Sequence, residues 1–117
     1  MGKQYEDLIS QAYSAFNIRD IDGVLLTLDP NVQWANGWEG GYVKGHDEVR
    51  KYWTRQWKEI DPNVKPVGFK ERQDEQIEVQ VHQIVKDLQG KVILNGMVKH
   101  IYTIKDGLIQ NMDIEKA

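Results

Sequence analysis

Midway along the chain the spacing of apolar residues changes, and that change limits the fold more than any other feature. From Tyr5 to Phe16 the side chains of Tyr5, Leu8, Ile9, Ala12, Tyr13 and Phe16 recur at steps of three and four, which predicts a helix with one buried stripe. A short second helix is expected next, with Asp20 as N-cap, Ile21, Val24, Leu25 and Leu28 on its apolar side, and Pro30 as its stop. Residues 31–36 alternate and carry Val32 and Trp34, so they predict a short strand, turned back through Tyr42 and Val43 by Gly40-Gly41. A third helix starts near Gly45 or His46, with Asp47 and Glu48 in its first turn, where carboxylates favour the helix dipole. It shows Val49, Tyr52, Trp53, Trp57 and Ile60 on one side and ends before Asp61-Pro62. From Val64 onward the apolar residues alternate, and breaks at Gln73-Asp74-Glu75, Gln89-Gly90 and Asp106-Gly107 divide the rest into four strands.

Composition narrows the function classes. A chain of 117 residues is one domain's worth, expected to form a single unit over 1–117. With no cysteine it has no disulfide framework, thiolate nucleophile or Cys-based metal site. Its 15 basic and 18 acidic residues alternate without forming a block, so no nucleic-acid partner is expected. Residues 1–7 lead into no signal-peptide core, and no apolar run is long enough to span a bilayer. No membrane association is expected, and a cytoplasmic location is. His46, His82 and His100 have no metal-ligand spacing and no glycine-rich loop follows a strand, so neither metal nor other cofactor is expected.

Hairpin geometry predicts which side chains share a face. If Gln89-Gly90 and Asp106-Gly107 are both two-residue turns, Val79 lies opposite His100, Ile101 opposite Met112 and His100 opposite Asp113. One face then holds Val79, Val81, Gln83, Val85, Val98, His100, Tyr102, Ile104, Ile109, Asn111 and Asp113. The other holds Gln80, His82, Ile84, Lys86, Met97, Lys99, Ile101, Thr103, Gln110, Met112 and Ile114. Both are mixed, so a cover is expected on each: helices on one, a second subunit on the other.

Tyr13-Ser14-Ala15-Phe16-Asn17-Ile18-Arg19-Asp20-Ile21-Asp22-Gly23-Val24, Gly45-His46-Asp47-Glu48-Val49-Arg50-Lys51-Tyr52-Trp53 and Asp106-Gly107-Leu108-Ile109 stand in this order along nearly the whole chain. Together they resemble the nuclear transport factor 2-like superfamily, which includes ketosteroid isomerase and the SnoaL-like polyketide cyclases. The resemblance implies an α+β, cone-like fold of three N-terminal helices packed on a curled antiparallel sheet. It also implies a pocket between helices and sheet, and a homodimer through the outer sheet face formed by Val79, Val81, Val85 and Tyr102. Ketosteroid isomerase uses an Asp base with a Tyr and a protonated Asp as oxyanion donors. Those positions fall here at Asn36, Ala12 and Lys99, which speaks against steroid isomerisation by that mechanism.

The same alignment turns His82, Ile84, Lys99, Ile101, Met112 and Ile114 toward the pocket, joined by Trp34, Asn36 and Trp53. His82 is then the acid-base candidate, since histidine titrates near neutrality. Lys99 is its electrostatic partner about 7–8 Å away on a diagonal, and Asn36 donates to a substrate oxygen. Trp34, Trp53, Ile84, Ile101, Met112 and Ile114 line the ligand site. The rival constellation is His100 opposite Asp113, with Tyr102 on the same face, in which the carboxylate orients the imidazole. Trp38-Glu39-Gly40-Gly41 reads as a lid or as a tight hairpin. Two functions stay open. One is a cofactor-free acid-base enzyme, of isomerase, cyclase or hydratase type, acting on a small apolar carbonyl compound. The other is a non-catalytic small-molecule-binding or dimerisation domain.

Overall fold

The computed structural model describes residues 2–73 and 75–116, with side chains from Tyr5 onward. Met1, Ala117 and the Asp74 of the predicted break lie outside them. Three helices, α1 (Gly2–Asn17), α2 (Ile21–Leu25) and α3 (Gly45–Glu59), pack on six strands: β1 (Leu28–Ala35), β2 (Tyr42–Lys44), β3 (Ile60–Glu71), β4 (Gln76–Asp87), β5 (Val92–Lys105) and β6 (Leu108–Lys116). The fold is α+β, and the sheet is curled and unclosed, in the order β2-β1-β6-β5-β4-β3. It is mixed, because β1 runs parallel to β6 while every other neighbouring pair is antiparallel.

The helices form where the apolar stripes predict them. Ile9, Ala12, Tyr13 and Ala15 of α1 are buried, as are Val49, Tyr52 and Trp53 of α3. Asn17 fastens the end of α1 to β3, its amide donating to Val64 O (2.8 Å) and accepting from Val64 N (3.0 Å). Arg19 then takes a left-handed conformation (φ 65°), with Asp20 N returning to Ala15 O at 2.8 Å, so that the chain can reverse into α2. Asp20 caps α2 through Gly23 N (3.0 Å). The helix ends at Leu25 and not near Pro30, because Ile109 N already donates to Thr27 O (2.9 Å) and draws Leu28 into the sheet. Pro30 sits inside β1 where the pairing with β6 slips between Leu28 and Gln33, the kind of place where a missing N–H is tolerated.

Two irregularities decide the faces. The β4–β5 loop closes with Asp87 N on Lys91 O (2.8 Å), one residue longer than a two-residue turn, and the carboxylate of Asp87 holds Gln89 N and Lys91 N at 2.9 Å each. A register shift beside Val85 compensates, and Val79 still lies opposite His100. No such compensation follows the Asp106-Gly107 turn. Lys105 pairs with Leu108 as expected, but a shift after Ile104 places Tyr102 opposite Met112, Ile101 opposite Asp113 and His100 opposite Ile114. One extra residue exchanges the two faces of β6 beyond that point.

The helices cover the face of Val79, Val81, Val85, Tyr102 and Ile104, all of which are buried. The apolar patch on which a homodimer was expected is therefore occupied by the chain's own helices and cavity. The outer face carries Gln80, His82, Lys99 and a buried Glu78, to which Arg72 donates at 2.6 Å while Lys99 stands 3.9 Å away. Among the described residues no helix is long and apolar enough to cross a membrane.

Candidate ligand-binding site

A cavity of about 380 Å³ lies between the inner face of the sheet and α1 and α3. Its aromatic wall is a contiguous set: Trp34 and Trp53 meet edge to face at 5.4 Å, and Phe16 meets Trp53 at the same distance. Trp34 reaches the cavity from β1, beside Met112 of β6, through the parallel pairing. The exposed side chains of Trp38, Ile93, Leu94 and Ile114 also border it and mark its open end. No Asp, Glu, Lys or Arg side chain is among the described lining residues.

Three of the polar groups that line it form a chain. Tyr102 Oη donates to Tyr13 Oη at 2.8 Å, and Tyr13 Oη lies 2.7 Å from His100 Nδ1. With Tyr102 donating to it, the buried Tyr13 hydroxyl turns its own proton to Nδ1. The neutral imidazole consequently carries its hydrogen on Nε2. Nε2 makes no hydrogen bond among the described residues, and the ring lines the cavity. Burial pushes the imidazole pKa down to about 4, so the ring is neutral at physiological pH. Burial likewise raises Tyr13 and Tyr102 above the ordinary phenol range, with the neighbouring phenol adding to the rise at Tyr13.

A second polar set lies under the β1–β2 loop. Asn36 is buried, its Oδ1 accepting from Glu39 N (2.7 Å) and Trp38 N (3.2 Å) and its Nδ2 donating to Glu39 Oε1 (3.0 Å). Arg55 holds the same carboxylate in a two-pronged contact, with Nη2–Oε1 at 2.8 Å. These partners, Arg55 first, keep Glu39 below the usual carboxylate range. Trp38 Nε1 donates to Glu59 at 3.1 Å, and Gly40 and Gly41 take positive φ values of 92° and 76° to close the turn.

The expected site residues separate accordingly. Trp34, Trp53, Met112 and Ile114 meet at the cavity. His82, Ile84, Lys99 and Ile101 lie on the outer face, because their parity in β4 and β5 is opposite to that of Val79 and His100. His82 Nε2 pairs there with Asn95 Oδ1 at 2.6 Å. Asn36 is spent on the loop. Of the rival constellation, His100 and Tyr102 face the cavity, but the β6 shift turns Asp113 outward, where it accepts from Tyr42 Oη at 2.5 Å. Tyr13 takes the place as hydrogen-bond partner that Asp113 was expected to fill. Tyr13, Tyr52 and Gln56 were not anticipated. The one sequence signal for the inner face is the larger apolar count of Val79, Val81, Val85, Val98, Tyr102 and Ile104, which marks a face to be buried without saying what covers it.

The sequence matches the SnoaL-like domain family over residues 9–112, almost the full chain. The chain belongs to this family. The SnoaL-like domain superposes on TerC co-crystallised with polyporic acid with a TM-score of 0.84, at 23% identity over 97% of this chain and 92% of that one. A nuclear transport factor 2-like protein of unknown function from Burkholderia pseudomallei is 25% identical, with a TM-score of 0.84 over 97% and 91% of the two chains. A protein with a ketosteroid isomerase-like fold from Catenulispora acidiphila, in complex with trimethylamine, has a TM-score of 0.80 at 7% identity over 94% and 85%. No curated protein matches this chain. Such likenesses concern the fold, and the function of the SnoaL-like domain has to be argued from its cavity.

Proposed function

We propose that this SnoaL-like domain takes up a neutral, largely apolar ring compound bearing a carbonyl oxygen, and that His100 polarises that oxygen as the hydrogen-bond donor of a cofactor-free reaction. One observation carries the reading: His100 lines the cavity with Nδ1 bonded to Tyr13, and its Nε2 makes no hydrogen bond among the described residues. A neutral imidazole donor stabilises developing negative charge on oxygen without itself having to lose a charge. Nε2 keeps its proton throughout, because transfer to the ligand would leave an anion on the ring or on the buried Tyr13 and Tyr102, whose phenols burial holds protonated. With no carboxylate among the described lining residues, abstraction of a carbon-bound proton has no strong base. Ring closure, and loss or addition of water, are the reaction types that begin at a polarised oxygen. The small molecules held by two structural neighbours, polyporic acid and trimethylamine, support the use of this cavity for ligands.

A second reading is binding without turnover, favoured by the same lack of any charged lining side chain. Titration calorimetry with a panel of aryl ketones and cyclic diones identifies a ligand, and product analysis follows its fate. On the proposal, His100→Phe lowers turnover by about 100-fold or more, the loss typical of a removed oxyanion donor. Unchanged turnover in that variant refutes the donor role. Binding by the wild type with no conversion of any bound compound establishes the second reading.

A further inference from the structure

Tyr52, on α3, is buried with 3% of its surface exposed, and it lines the same cavity as His100. Its oxygen accepts from Trp38 N at 3.3 Å and from Gln56 Nε2 at 3.2 Å, which uses both lone pairs. The phenolic proton therefore has no acceptor among the described residues. The nearby Glu39 carboxylate is already committed to Arg55 and Asn36. Burial keeps this hydroxyl protonated, with its pKa above the usual phenol range.

Gln56 sharpens the point, because it also lines the cavity and its Oε1 is buried without a partner. Turning the amide end for end would give Tyr52 an acceptor but would strand Nε2 in the same buried spot. Either way one group at this end is unsatisfied, and buried polar groups in folded proteins are seldom left so. The Tyr52 set shares no member with the Tyr102–Tyr13–His100 chain, so the cavity offers two separate donors. Trp34 and Trp53 add a flat apolar wall.

We propose that Tyr52 is the specificity-determining second donor of this site, and that the preferred ligands are flat ring systems with two acceptor oxygens, para-quinones being the simplest class. This rests on the reading of His100 as the first donor. A ligand oxygen on Tyr52 also touches the group that holds Trp38 N, so occupancy steadies the β1–β2 loop.

The test uses titration calorimetry on the full chain with 1,4-naphthoquinone and, as the one-carbonyl match in size, 1-tetralone. The chain has no cysteine, so quinone addition to thiols does not intrude. The wild type is expected to prefer the quinone by about tenfold, the worth of one good hydrogen bond. Tyr52→Phe reduces that preference to about onefold and leaves 1-tetralone affinity unchanged, whereas His100→Phe weakens both ligands. A preference that survives Tyr52→Phe overturns the Tyr52 assignment alone. Tetralone affinity untouched by His100→Phe, or no binding of either compound to the wild type, overturns the underlying His100 reading. A crystal structure of the wild type with 1,4-naphthoquinone gives an independent answer. One carbonyl oxygen within hydrogen-bond distance of Tyr52 Oη supports the proposal, and both carbonyls lying away from it refute it.

Discussion

Tyr13 stands at the centre of a three-member polar chain inside an apolar core, so removing its single oxygen has consequences on both sides. In Tyr13→Phe the Tyr102 hydroxyl loses its acceptor and His100 Nδ1 loses its donor, in side chains only 0% and 8% exposed. Each stranded group costs about 1–3 kcal/mol, for a total of about 2–6 kcal/mol. Tyr102→Phe removes the terminal donor and leaves Tyr13 still donating to His100, so its cost is about 1 kcal/mol. At about 4–8 °C per kcal/mol for a domain near this size, Tyr13→Phe lowers Tm by about 8 °C or more and Tyr102→Phe by about 5 °C. The double variant is expected to be no less stable than Tyr13→Phe alone, because deleting the Tyr102 hydroxyl removes a donor that had been stranded. Urea denaturation followed by far-ultraviolet circular dichroism measures all three. A Tyr102→Phe variant as unstable as Tyr13→Phe, or a double variant showing the sum of the two losses, refutes the direction assigned to this chain.

Stability is expected to fall as pH drops from about 6.5 to about 4, because the unfolded chain protonates His100 in that window while the folded one, with a pKa of about 4, does not. The contribution is complete above about pH 6.5 and amounts to about 3 kcal/mol across the window, and His100→Phe flattens the denaturation midpoint against pH. Gly23→Ala would set a Cβ 2.5 Å from Asp20 Oδ2 and break the cap of α2, with a loss of about 1–2 kcal/mol by thermal denaturation; an unchanged Tm counts against the cap. His82→Ala and Lys99→Ala leave ligand affinity within about twofold of the wild type by calorimetry, since both side chains stand on the outer face. A larger loss in either would place the site on the other side of the sheet.

Local features were legible because their causes are local. The three-and-four spacing of α1 and α3 follows from the helix repeat alone, and the Asp20 cap needs only a carboxylate three residues before a free N–H. The Asp106-Gly107 turn was readable for the same reason, with φ values of 54° and 78° that this pair adopts readily. The pairing of Val79 with His100 was also legible, although the β4–β5 loop is a residue longer than the turn from which it was counted.

What lines the cavity was settled at longer range. Alternation along β4 and β5 assigns His82 and His100 to opposite faces but says nothing about which face the helices cover. That choice comes from burying Val79, Val81, Tyr102 and Ile104 against α1 and α3 together. Likewise, no dipeptide in β6 announces the residue inserted between Ile109 and Asn111. The slip lets Met112 and Ile114 fill the inner face beside Trp34 and His100 and sends Asp113 outward to Tyr42. The sequence alone determined the elements, their caps and their order, because those depend on neighbours a few residues away. The tertiary structure decided which histidine meets the cavity and that a tyrosine, not an aspartate, holds it, because a one-residue slip reverses a strand and only packing across the whole sheet selects it.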